Sequence, residues 1–226
     1  MLEWNVEQGS EEWLELRAGI PTSSEFKRIV TSTGKASKQA SEYIFQCIAE
    51  MVEGVPMKTF EKSFWMDRGS EMEEEAADWY AFETDSELIH PGFITDDYMR
   101  WGASPDRLVV QDGEVVGGLE IKCPAPWNHL ANAARKGIAT KDYPQVQGQM
   151  LVAGLDWVDY VSYHPRYLGM RVRILPNLEY QEFLGERLLW FHEKKHERIE
   201  LLIDEGVLDS EPIPPQQKHK AKAEQA

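Results

Sequence analysis

Residues 117–123 read G-G-L-E-I-K-C, and no other stretch constrains the fold as tightly. Leu119, Ile121 and Cys123 alternate with Glu120 and Lys122, the period of two that belongs to a β-strand. One face of such a strand packs into an apolar core, and the other projects a carboxylate and an ammonium together. Buried strands avoid charge unless it is paired or put to chemical use. Upstream, Ser104-Pro105-Asp106 places an acid directly after a proline at a strand boundary, and the turn in D-G-E-V-V-G-G leads to an adjacent strand. Asp106, Glu120 and Lys122 therefore converge at one point.

The surrounding sequence supplies a frame of both helices and strands. Apolar periodicity predicts helices over 11–18, from 22 onward with T-S-S-E as a capping box, 37–53 and 69–83. The period then shortens, predicting strands over 88–94, 98–103, 106–111 and 115–123 in a meander. Helices return over 127–136 and 143–153, strands over 157–164 and 170–175, and a long amphipathic helix over 177–203. The fold class is mixed α/β, a central mixed β-sheet flanked by helices. At 226 residues and 42% hydrophobic content, the chain suits one core, here expected as a single domain over 1–208 with a flexible Pro-, Gln- and Lys-rich tail over 209–226.

Composition excludes several classes of function. No segment approaches the roughly 20 apolar residues of a membrane span, so no membrane role is expected. Two cysteines are too few for a disulfide framework or a cysteine-ligated metal, which points to the cytosol. A formal net charge of −15 argues against broad attraction to nucleic acid but leaves the field inside a cleft undetermined.

Two carboxylates with a neighbouring lysine suit a hard divalent cation, because Mg²⁺ commonly takes one or two carboxylates plus water and substrate oxygens. The lysine then positions water and offsets charge that develops on phosphorus. An isolated E-x-K is more often a surface ion pair, and the preceding P-D is what shifts the balance toward phosphodiester hydrolysis.

S-P-D at residues 104–106 followed by L-E-I-K-C-P at 119–124 resembles the PD-(D/E)xK nuclease superfamily, most nearly the phage lambda exonuclease type, the YqaJ-like viral recombinases. Other blocks agree in order: E-Q-G-S-E-E-W-L-E-L-R-A-G-I-P-T-S-S-E over 7–25, R-G-S-E-M-E-E-E-A over 68–76 and Y-P-Q-V-Q over 143–147. Arg107 stands where the family often has glycine. The resemblance implies a restriction-endonuclease-like core with metal ligands Asp106, Glu120, Glu73 and the backbone carbonyl of Ile121, with Lys122 acting on water and Gln145 orienting water or substrate. It also implies a 5′-phosphate site at Arg17, Ser24 and Ser104, and an apolar wedge for the DNA end at Met66.

The bland reading of these residues is that Glu73 belongs to a solvated acidic face, Arg17 pairs with a nearby acid, and Phe64, Trp65 and Met66 pack in a core. By resemblance, the expected activity is Mg²⁺-dependent 5′-to-3′ digestion of double-stranded DNA ends, with Mn²⁺ able to substitute. It leaves 3′ single strands for recombination. The expected assembly is a homotrimeric ring, its partner a single-strand annealing protein, and its origin a phage or prophage acting in a bacterial cytoplasm. An endonuclease or resolvase of the same superfamily, or a non-catalytic DNA-binding subunit, are the rival readings.

Overall fold

The structure, a computed structural model, describes residues 1–57, 72–217 and 219. Two sheets organise it. The larger has five strands: β2 (Glu87–Ile89), β5 (Arg107–Gln111), β6 (Glu114–Lys122), β7 (Val158–Ser162) and β8 (Met170–Ile174), adjacent in that order. Every pairing is antiparallel except β6 with β7, which makes the sheet mixed. A small sheet of β1 (Leu2–Trp4), β3 (Phe93–Thr95) and β4 (Gly102–Ala103) lies apart from it.

The parallel pairing requires a crossover, and residues 123–157 provide it. It contains α4 (Pro126–Arg135), a 3₁₀ turn (Thr140–Asp142) and α5 (Tyr143–Ala153). Proline stands in the first turn of each helix, where its missing N–H costs nothing. Earlier in the chain lie α1 (Glu11–Arg17), a 3₁₀ segment (Ser23–Arg28), α2 (Ala40–Glu53) and α3 (Glu73–Thr84); the long α6 (Leu178–Asp204) follows β8. Ser10 caps α1 by accepting from the Trp13 N–H, and Asn177 caps α6 by accepting from the Tyr180 N–H.

The main core joins α2, α5 and α6 to one face of the large sheet, with Phe26, Tyr43, Ile48, Leu108, Met150, Tyr160, Leu188 and Phe191 buried in it. A second cluster on the other face packs Ala76, Ala77 and Tyr80 of α3 against Leu119, Ile121 and Cys123. The apolar face read from the G-G-L-E-I-K-C strand is thus the one that α3 covers. The paired glycines before it allow close packing: a Cβ on Gly117 would lie 2.4 Å from the Trp157 ring, and one on Gly118 would lie 2.8 Å from Leu155.

The structure departs from the sequence expectation in several places, among them the strand expected over 98–103, which is a turn followed by the two-residue β4. The strand expected over 88–94 is two strands in different sheets, because Pro91 interrupts it and Gly92 passes so close to β1 that a Cβ would lie 1.9 Å from the Trp4 carbonyl oxygen. The helix expected from residue 22 is a six-residue 3₁₀ segment, and the Thr22 hydroxyl bonds to Arg17 and Ser24 instead of capping it. Part of the segment expected as a flexible tail packs on the body, since Gln216 is fully buried. Among the described residues, no helix is long and apolar enough to cross a membrane.

Candidate active site

The end of β6 brings the predicted acids and lysine together. Glu120 is fully buried, and its carboxylate accepts three side-chain donors. Lys122 Nζ and Gln145 Nε2 donate to Oε1, the latter at 2.7 Å, and Gln149 Nε2 donates to Oε2 at 2.5 Å. Gln145 Oε1 also lies 3.4 Å from Lys122 Nζ. Antiparallel pairing of β5 with β6 sets Asp106 beside the same strand, where its Oδ2 accepts from the Ile121 N–H at 2.6 Å.

Electrostatics mark this as a place with an excess of negative charge. Burial pushes the Asp106 carboxyl well above the usual range, and Glu120 and Glu73 push it further; Lys122 and the Ile121 N–H pull the other way. Burial alone would depress Lys122, but Glu120 and Asp106 outweigh it and hold the ammonium above its ordinary value. One lysine therefore faces a cluster of acids, and a divalent cation would relieve the imbalance. The donors are hard oxygens, as Mg²⁺ prefers. Among the described residues, no three His, Cys, Asp or Glu side chains converge into a closed cage. Mg²⁺ does not require one, since it keeps water and substrate oxygens in its shell, so the residues fit the ion.

Glu73 opens α3 next to this cluster, and its Oε1 accepts from Arg107 Nη1 at 3.2 Å. The Arg107 side chain is only 4% exposed and also donates to Glu74 Oε2 at 2.5 Å and to the Asp106 carbonyl at 2.6 Å. The residue that departs from the family pattern is thus the one that ties α3 to the Asp106 turn. Gln147, by contrast, turns away, bonding Leu175 O at 3.0 Å and the Asn177 N–H at 2.9 Å.

A second polar cluster gathers around Arg17. Arg17 stacks on Trp13, 4.0 Å from the ring centroid, and Nη2 lies 3.4 Å from both Thr22 Oγ1 and Ser24 Oγ. Trp13 Nε1 donates to Ser104 Oγ at 3.0 Å, so Trp13 links Arg17 to Ser104, which lies two residues from Asp106. Among the described residues, no carboxylate forms an ion pair with Arg17. Burial pushes its guanidinium down to about 10, which leaves a charged, unpaired donor at neutral pH. The segment bearing Ser24 is too short to act as a helix N-terminus, so anion attraction here rests on the guanidinium and the hydroxyls. Met66 lies outside the described residues, as do Phe64 and Trp65.

Three residues of the site were not singled out in the sequence. Gln149 lies four positions after Gln145 on α5, so the i, i+4 spacing was the available signal. Trp13, four before Arg17, carried the same signal on α1. Gln8 donates to the Pro91 and Pro105 carbonyls, both at 2.9 Å, and so secures the turn before Asp106; its place in the E-Q-G block was the available signal.

A mixed sheet with an acid at the end of one strand and E-x-K on the next, covered by a helix that supplies glutamine, defines a nuclease of the PD-(D/E)xK type. The model for the YqaJ-like viral recombinase domain matches residues 12–156, and the chain belongs to that family. An alkaline exonuclease from Laribacter hongkongensis superposes with a TM-score of 0.77 at 28% identity, over 88% of this chain and 98% of the other. The structure of that enzyme in complex with dAMP gives 0.77 at 27% identity over the same shares. A phage related exonuclease from Haemophilus somnus shares the fold, with a TM-score of 0.61 at 15% identity over 81% of this chain and 96% of that one. A comparison with curated proteins found no match.

Proposed function

We propose that this exonuclease digests one strand of linear double-stranded DNA from its 5′ end, with Mg²⁺ and with Mn²⁺ able to substitute, and leaves 3′ single strands for recombination by strand annealing. The observation that carries the reading is the Trp13–Ser104 hydrogen bond, which links Arg17, stacked on Trp13, to the segment that leads into the acidic cluster at Asp106 and Glu120. A terminal 5′-phosphate held by Arg17, Ser24 and Ser104 places the adjoining phosphodiester beside the acids. The dAMP complex of the Laribacter hongkongensis enzyme supports a site that accepts a nucleoside monophosphate.

Asp106 and Glu120, with Glu73 and the Ile121 carbonyl, would hold the metal. When bound, the ion polarises the phosphoryl oxygen and stabilises the leaving oxygen. Lys122 stays protonated, so it works through charge, orienting the attacking water and offsetting the negative charge that grows on phosphorus. Gln145 bridges Glu120 and Lys122 and fixes both. Gln149 completes the set of donors to Glu120. The family resemblance adds a homotrimeric ring on DNA, a single-strand annealing protein as partner, and a phage or prophage origin in a bacterial cytoplasm.

Linear duplex DNA labelled separately at its 5′ and 3′ termini tests this reading, with Mg²⁺ or EDTA and a covalently closed circle as control. Early Mg²⁺-dependent release of the 5′ label with intact circles is expected. Internal cuts would make the protein an endonuclease, and no hydrolysis would make it a binding subunit.

A further inference from the structure

The turn that follows Arg17 is held by side chains from three remote parts of the chain. Gln216 Nε2 donates to the Leu16 and Ala18 carbonyls, at 2.7 and 2.9 Å. Lys195 of α6 donates to the Gly19 carbonyl at 2.7 Å, and Glu50 of α2 accepts from the Gly19 N–H at 3.2 Å. All three side chains are buried. Between them they satisfy the polar backbone at the end of α1, where helices leave carbonyls without partners. Two carbonyl acceptors fix which way the Gln216 amide points, because its oxygen would repel both.

Gln216 belongs to a strap, described over residues 211–217 and 219, that runs back from α6 across α1. His196 lies 3.3 Å from Glu211 at one end of the strap, and His219 lies 2.9 Å from Glu15 and 3.5 Å from Glu12 at the other. Among the described residues, no hydrogen bond or ion pair joins the strap to Asp106, Glu120 or Lys122. Its bonds fall on the residues immediately before and after Arg17, whose guanidinium has no carboxylate ion-pair partner among the described residues and rests on Trp13, Thr22 and Ser24. With only neutral partners there, the position of that cation depends in part on the backbone that carries it.

We propose that Gln216 is a positioning residue for the 5′-phosphate, and that the strap keeps Arg17 aimed at Ser24 and Ser104. This inference rests on the reading of Arg17 as a phosphate donor and adds a region of the chain that lies beyond residues 12–156. A guanidinium loses bidentate contact with an anion after a small tilt, so loosening the turn weakens recognition of the phosphate before it affects the chemistry at Glu120.

The experiment compares 5′-phosphorylated and 5′-hydroxyl duplex ends in the full chain, with KM and kcat determined separately. For Gln216→Ala, KM on phosphorylated ends should rise about tenfold, the scale of the hydrogen bonding lost, and preference over hydroxyl ends should narrow accordingly. Arg17→Ala should erase the preference altogether. Equal losses on both ends, or a fall in kcat with KM unchanged, would mean that Gln216 only stabilises the fold and would overturn the proposal. An unchanged preference in a folded Gln216→Ala protein would overturn it too. If the wild-type protein shows no preference for phosphorylated ends, the reading of Arg17 itself fails, an outcome distinct from those. Should Gln216→Ala not fold, His219→Ala loosens the same strap from its outer end. A smaller shift in KM on phosphorylated ends alone is expected there, and no shift would count against the strap.

Discussion

Glu120 illustrates how a strand tolerates a buried carboxylate: each oxygen is matched to a donor, and none of those donors lies on a neighbouring strand. Removing Gln149 leaves Oε2 without its donor, a loss of about 1–3 kcal/mol for a buried charged group. Gln149→Ala should therefore lower kcat/KM on linear duplex by about tenfold or more, and Gln149→Glu should be worse because it sets two carboxylates together. An unchanged rate in steady-state assays would remove Gln149 from the site. His192 gives a prediction about stability instead. Burial, helped by His196, Lys195 and Arg100, lowers it from 6.5 to about 4, and Asp96 opposes this. Between those two pH values the unfolded chain binds the proton and the native protein does not, so stability falls as pH drops through that window. Thermal melts of His192→Gln should show a shallower decline in Tm from pH 6.5 to 4 than the wild type shows. The sequence made Asp106, Glu120 and Lys122 legible because strand alternation fixes which side chains share a face. It left Gln216 hidden, since its partners are carbonyls far along the chain and no local pattern records such a bond.

At the scale of elements, the two polar clusters are joined by the packing of α5 on the 3₁₀ segment. Gly148 makes that contact possible: a Cβ there would lie 2.3 Å from Cδ2 of Phe26, in the segment that carries Ser24. Gly148→Ala gains helix propensity yet must push these elements apart, and overpacking of this kind costs about 1–3 kcal/mol. Urea denaturation should show a lower midpoint with an unchanged slope, and use of 5′-phosphorylated ends should weaken at the same time; a midpoint at or above wild type would show that Phe26 yields freely. Most elements could be read from periodicity, including α1, α5, β6 and α6. The failures have physical causes. Residues 88–94 are apolar enough for one strand, but the division into two sheets is made by Pro91 and by the close approach of Gly92 to β1, a tertiary fact. The T-S-S-E sequence resembles a capping box, yet Arg17 competes for the Thr22 hydroxyl and wins.

For the whole molecule, a net charge of −15 and a DNA substrate are compatible if the enzyme encloses its substrate and is retained by topology instead of attraction. The proposed ring makes this concrete: sedimentation equilibrium should give three times the 26.0 kDa chain mass. A monomer that still digests long duplexes without releasing them would contradict it. The crossover between the parallel strands β6 and β7 has a further consequence, one of timing. A ribosome makes Asp106, Glu120 and Lys122 before it makes Gln145 and Gln149, and β7 must then pair beside β6 before the sheet that fixes Glu120 is complete. Until that closure the emerging chain carries the acids and, later, the amides without the completed sheet that sets them together. The buried setting of Glu120 is thus a late product of synthesis, complete only once residues on both sides of the crossover have been made.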